Sequence, residues 1–90
     1  MFRMKKSLPM GYDRQGYIYF TSKMFRHLPK QQRSIIRQVC TRAGGEYADA
    51  LLEFVTTNRG ATSVCLRHHI SESTLERIVR KYYCIFPTEE

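Results

Sequence analysis

The chain has 90 residues, 42% of them hydrophobic, which suits one small domain with a modest core and argues against a disordered chain. Fifteen Lys and Arg against eight Asp and Glu give a net charge of +7, which favours a polyanionic partner, usually nucleic acid. No apolar run is long enough to span a membrane, and the basic start of the chain lacks the apolar segment of a secretory signal.

The first twenty residues are predicted to form a basic tail and a β-hairpin. Residues 1–9 end at Pro9 and are expected to be partly mobile. In residues 10–20, Asp13 opens and Gly16 closes a four-residue turn, and the arm after the turn is rich in aromatic and β-branched residues. A lone hairpin is marginal in water, so this one is expected to pack on the helices or to pair with a second copy in a homodimer.

Three helices are predicted next, at about 22–28, 30–43 and 46–57. Thr21 and Ser22 offer a cap for the first, Pro29 ends it, and Gly44 closes the second. The apolar residues of the second lie on one face, namely Ile35, Ile36, Val39, Cys40 and Ala43. Those of the third form an inward stripe of Ala48, Leu51, Leu52 and Val55. The last of the three is expected to support the helices that follow.

The stretch after Gly60 is typical of two helices joined by a tight turn, at about 62–68 and 72–83. Thr62 can cap the first helix and Ser71 the second. Between them, His69 suits a left-handed backbone position, and Ile70 is an apolar residue that enters the core. The second helix has one apolar stripe, made of Leu75, Ile78, Val79 and Tyr82. Its outer face consists of Glu72, Ser73, Glu76, Arg77, Arg80 and Lys81.

This stretch resembles the helix-turn-helix of the Mor/C family of phage transcription activators, and it is similar to region four of sigma factors. The matching positions are Val64, Cys65, His68, His69, Ile70, Ser71, Thr74, Leu75 and Ile78. His69 stands where these families usually have Gly, and Cys65 where they usually have Ala. The resemblance implies a transcriptional regulator carried by a phage or another mobile element. The predicted fold is therefore mainly α. A single domain at 10–86 forms a small helical bundle that begins with the N-terminal hairpin and ends in the helix-turn-helix, and an acidic tail follows at 87–90.

In a helix-turn-helix the start of the second helix faces the base edges of the major groove, which assigns roles to the exposed residues. The predicted base contacts are Ser71, Glu72, Ser73, Glu76 and Arg77. The predicted phosphate contacts are Arg59, Thr62, Arg67, Arg80 and Lys81. We expect a sequence-specific regulator of double-stranded DNA. The alternatives are a purely structural hairpin, or a protein-binding adaptor such as an anti-repressor or a sigma-like piece that docks on RNA polymerase. RNA binding would need exposed tyrosines at 12, 17 and 19.

Catalysis, metals and cofactors are not expected. Zinc sites use four ligands, usually from paired elements, whereas Cys65, His68 and His69 have no second pair of ligands in the sequence. Glycines 44 and 45 lack the Lys and Ser or Thr of a phosphate-binding loop. An odd count of three cysteines near apolar stripes favours buried thiols and a cytoplasmic location over a disulfide framework.

Overall fold

A computed structural model describes residues 10–87, and the predicted tail 1–9 and residues 88–90 of the acidic tail lie outside that span. The α-helices in it are α1 (Tyr12–Lys23), α2 (Lys30–Gly44), α3 (Ala48–Thr56), α4 (Ala61–His68) and α5 (Glu72–Ile85). Short 3-10 helices occupy Phe25–His27 and Gly45–Tyr47. The expectation of a mainly helical fold is confirmed, and no helix in the described span is long and apolar enough to cross a membrane.

The predicted hairpin at 10–20 is wrong, because these residues form α1 and residues 10–87 contain no strand. Gln15, Ile18 and Ser22 are buried at intervals of three and four residues, which is the spacing of one helical face. Their polar groups are satisfied: Gln15 Nε2 donates to the Met10 carbonyl at 3.3 Å, and Ser22 Oγ donates to the Ile18 carbonyl at 2.7 Å. A homodimer that pairs hairpin strands therefore has no basis in this region.

The predicted helix at 22–28 is also wrong. Ser22 lies inside α1 instead of capping a new helix, and only Phe25–His27 turns again, as a 3-10 helix. Lys23, at the end of α1, instead reaches α3, where its Nζ donates to the carbonyls of Phe54, at 3.2 Å, and Thr57. Carbonyls at a helix end have no partner within the helix, so this lysine satisfies them and joins α1 to α3. Burial lowers the pKa of Lys23.

The predicted helices at 30–43 and 46–57 are confirmed as α2 and as the segment of Gly45–Tyr47 plus α3. Ile36, Val39, Cys40 and Ala43 are buried, but Ile35 is 42% exposed and was wrongly placed in the stripe. It lies one residue, or about 100° around the helix, from Ile36, and the core covers a narrower arc of α2 than the apolar pattern suggests. Gly45 ends α2 with φ 56° and ψ −123°, a conformation that favours glycine and turns the chain into α3.

The predicted helices at 62–68 and 72–83 are confirmed as α4 and α5, with ends shifted by one or two residues. Val64 and Cys65 are the buried residues of α4. Those of α5 are Leu75, Ile78, Val79, Tyr82 and Tyr83. The chain then buries Phe86, whose ring meets that of Tyr82 with the centroids 5.4 Å apart. The α5 helix packs against α2, α3 and α4, so three elements hold its inner face.

Candidate nucleic-acid interface

The turn between α4 and α5 has the predicted local geometry. His69 adopts the left-handed conformation, with φ 58° and ψ 45°, and is the one described residue other than glycine with positive φ. Ser71 caps α5, because its Oγ accepts a hydrogen bond from the Thr74 amide at 3.1 Å. Ile70 is half-buried and packs against the core. The sequence-based roles of these three residues are confirmed, and they fix the direction in which α5 leaves the turn.

The outer face of α5 is exposed along the whole helix, while its inner face is locked in the core. Leu75, Ile78 and Val79 keep at most 3% of their surface exposed. The exposed residues of the opposite face are Glu72, Ser73, Glu76, Arg77, Arg80 and Lys81. All five predicted base-contact residues, Ser71 included, therefore lie at the surface, and Arg80 and Lys81 follow Glu72 by roughly two turns.

Thr62 does not cap α4 as predicted. The helix begins one residue earlier, after Gly60, and no side chain caps it. Thr62 Oγ1 instead donates to Glu72 Oε2 at 3.0 Å, which joins the start of α4 to the start of α5. Two residues that were predicted to touch DNA separately are thus each other's partners, and one oxygen of Glu72 is already in use.

A single carboxylate on α3 contacts two arginines and a histidine from the loop before α4 and from the end of α4. Arg59 Nε and Arg67 Nε lie 3.1 and 3.2 Å from Glu53 Oε2, and His68 Nε2 donates to Glu53 Oε1 at 2.8 Å. We call these four residues the Glu53 cluster. The His68 hydrogen bond, with the charges of Arg67 and Arg59, holds the pKa of Glu53 below its ordinary value, although burial acts in the opposite direction.

The Glu53 cluster contains two of the predicted phosphate contacts, Arg59 and Arg67, and leaves their side chains exposed. The side chains of Arg59 and Arg67 are 52% and 55% exposed, whereas that of Glu53 is 15% exposed. Each arginine pairs through Nε, and the contacts to Oε2 are ion pairs without an aligned hydrogen bond. Within residues 10–87 the terminal Nη groups of both arginines bond no residue other than Glu53, and two guanidinium charges outweigh one carboxylate. The cluster is therefore a net positive feature with ordered arginines.

No role in the site was predicted for Glu53 from the sequence. Its partners lie 6, 14 and 15 residues away on a loop and on a different helix, beyond the reach of helical spacing. The one available signal was an acid on the helix just before a run of bases at 59, 67 and 68.

Comparison with known proteins adds no family assignment: no protein-family model, curated protein or solved structure matches the chain.

Proposed function

We propose that this chain is a sequence-specific regulator of transcription that binds double-stranded DNA by inserting α5 into the major groove. One observation carries the proposal: the outer face of α5 is exposed along its length while the inner face is anchored in the core. An α-helix with side chains is about 10–12 Å across, and the major groove is about 12 Å wide. The net charge of +7 and the arginines of the Glu53 cluster support the same partner.

The hydrogen bonds at the start of α5 divide the predicted base contacts into two groups. Ser71 Oγ accepts from the Thr74 amide and donates to Thr74 Oγ1, so its one proton is already in use. Glu72 accepts from Thr62 through Oε2, which fixes its carboxylate and leaves Oε1 as the acceptor for a base. Glu76 and Arg77 are exposed one turn later. Arg77 suits the O6 and N7 acceptors of guanine, and Glu76 suits the N4 donor of cytosine. These two residues are the best candidates for setting sequence preference.

Phosphate contacts position such a helix without reading sequence. Arg59 and Arg67 lie on the α4 side, held by Glu53, and Lys81 lies on α5 beyond Arg77. All three side chains are exposed, so their charges are accessible to phosphates.

The test starts with selection of duplexes from a random pool, followed by titration of the selected and of a random duplex with two matched variants. Arg77→Ala should weaken binding of the selected duplex by about 1–3 kcal/mol and relax the preference at one base pair. Lys81→Ala, also exposed and one turn away, removes the same charge and should weaken both duplexes alike. Equal losses on both duplexes for Arg77→Ala would contradict the assignment, and failure to enrich any sequence would overturn the proposed function.

A protein-docking adaptor is the second candidate, and one surface feature favours it. An open cleft of about 260 Å³ lies between α1, α2 and the end of α5, and none of the described residues that line it is charged. It is lined by Tyr17, Thr21, Gln32, Ile35, Ile36, Phe86 and Pro87. Interface cores are depleted in charge, so this cleft suits a protein better than DNA. If the adaptor is right, Ile35→Asp abolishes capture of a protein partner and the chain retains no duplex at low salt.

A further inference from the structure

A second basic surface lies on α2 and contains none of the residues assigned above. Residues 14–45 contain no Asp or Glu, yet they hold seven of the fifteen Lys and Arg. Lys30, Arg33 and Arg37 follow one another at intervals of three and four residues, so they lie along one side of α2 over about 10 Å. We call these three residues the α2 basic face.

Two of these cations are held in place by groups that do not neutralise them. Arg33 Nη1 donates to the Leu28 carbonyl at 3.2 Å, and the Arg37 guanidinium lies 5.2 Å from the centroid of the Phe25 ring. None of the three forms an ion pair with any residue in the described span, in contrast to Arg59 and Arg67. The segment at 25–28 therefore orders guanidinium groups and leaves their charge uncompensated, which reduces the entropy lost on binding an anion.

We propose that the α2 basic face is a second DNA-binding surface, which contacts the phosphate backbone of a duplex without reading its sequence. The inference deepens the proposed function, because it takes double-stranded DNA as the partner. A row of fixed guanidinium and ammonium groups matches a row of phosphates, and arginine binds phosphate in a planar, two-bond geometry.

The surroundings of the face favour DNA over an anionic membrane. A helix that lies on a membrane needs a continuous free apolar side. In α2 the residues Ile36, Val39 and Cys40 are buried in the core, and Ile35 alone is a large apolar residue at the surface. The exposed residues next to the bases are mostly uncharged and polar, namely Gln31, Ser34, Gln38 and Thr41. Such side chains can add hydrogen bonds to phosphate oxygens but cannot insert into lipid.

The test measures how the affinity of the full chain for a random duplex depends on salt. Each phosphate contact contributes about 0.9 to the slope of log affinity against log salt, so Lys30→Gln with Arg37→Gln should reduce the slope by about 1.8. Arg33 is left in place because it bonds the chain before α2. Lys30→Arg with Arg37→Lys keeps both charges and should keep the slope.

A charge-balanced variant separates local contact from net charge. Adding Glu46→Gln and Asp49→Asn, both exposed near the start of α3, to the double variant restores the net charge of +7. If the α2 basic face binds phosphate, the slope stays low in this fourfold variant. Recovery of the wild-type slope would show that only overall charge matters and would overturn the inference.

The outcome for α2 is distinguishable from the outcome for α5. A chain that enriches one duplex sequence but shows no change of slope in the double variant supports the proposed function and overturns the α2 inference. If no sequence is enriched but the double variant has a lower slope on random duplex, the α2 inference is supported and the proposed function is overturned. Retention on phosphatidylserine vesicles together with no binding of duplex would overturn both.

Discussion

His69 occupies a backbone conformation that costs energy for any residue with a side chain. With φ 58° it is left-handed, and glycine reaches this region without steric strain. The strain relieved by His69→Gly exceeds the extra flexibility that glycine gives the unfolded chain, so we expect stabilisation by about 0.5–1 kcal/mol. The midpoint of urea unfolding measures this change, and because His69 is not among the proposed DNA contacts, DNA affinity should not change. A lower midpoint would mean that the imidazole makes a stabilising contact.

Glu53 should make the free energy of unfolding fall at acidic pH, because its pKa is lowered in the folded protein. Because the folded pKa lies below the unfolded value of about 4.3, the contribution of Glu53 is complete above that value and is lost as pH falls through the folded pKa. Glu53→Gln should therefore cost about 1–2 kcal/mol at neutral pH, and the cost should shrink steadily as pH falls below about 4. Urea unfolding of both proteins across this range measures the difference.

Asp49→Asn is a matched control for that experiment, since it removes an exposed carboxylate from the same helix. Its effect on stability should be small at every pH. A difference between wild type and Glu53→Gln that stays constant down to pH 3 would show that packing at this position matters, and not its charge.

Among the elements, local sequence signals predicted α5 correctly, but they predicted a hairpin where α1 is found. A cap at Ser71, a turn residue at 69 and an apolar stripe all point to the same helix, and each is visible within a few residues of sequence. The buried face of α1 contains Gln15 and Ser22 beside Ile18, so two of its three buried positions are polar and no apolar stripe appears. The turn signal and the aromatic run therefore suggested a hairpin, and tertiary packing overrode both.

Part of the candidate site could be predicted from the sequence, and part depends on tertiary packing. Most of the exposed face of α5 follows from helical periodicity. The sequence identified its six polar and charged residues but missed Cys84, for which a buried thiol was expected and which is exposed. The Glu53 cluster and the bond between Thr62 and Glu72 depend on how α3, α4 and α5 are placed, which no spacing rule within one helix reveals.

A buried hydroxyl pair joins α1 to α5 and gives an asymmetric prediction. Ser22 Oγ lies 2.6 Å from the Tyr82 hydroxyl. Because Ser22 donates its one hydroxyl proton to the Ile18 carbonyl, Tyr82 is the donor in this pair. Ser22→Ala leaves that buried donor without an acceptor and should cost about 1–3 kcal/mol. Tyr82→Phe leaves Ser22 still bonded to Ile18 and should cost about 0.5–1.5 kcal/mol.

Chemical unfolding of the two single variants and the double variant tests this asymmetry. The double variant has no unsatisfied donor, so it should be no less stable than Ser22→Ala alone. Burial raises the pKa of Tyr82, so its hydroxyl stays protonated and the differences should not change between pH 6 and pH 9, roughly the range below its ordinary value. Additive costs would indicate that Ser22 and Tyr82 do not share this bond.

At the scale of the whole molecule, a net charge of +7 on 90 residues should make the free protein and the proposed DNA complex respond to salt in opposite directions. The free chain carries acid-free residues 14–45, whose like charges repel, and salt screens that repulsion over about 10 Å at 0.1 M. Raising NaCl from about 0.02 to 0.3 M should therefore stabilise the free protein by about 0.5 kcal/mol, which raises Tm by about 2–4 °C. The Glu53 ion pairs oppose this change weakly because their arginines are half exposed.

With duplex present the effect of salt on Tm reverses, because counterion release weakens binding as salt rises and binding then adds less to Tm. Thermal melts with and without duplex should therefore converge at high salt. A fall in the Tm of the free protein over this range would mean that attractive pairs, and not repulsion along α2, dominate its electrostatics.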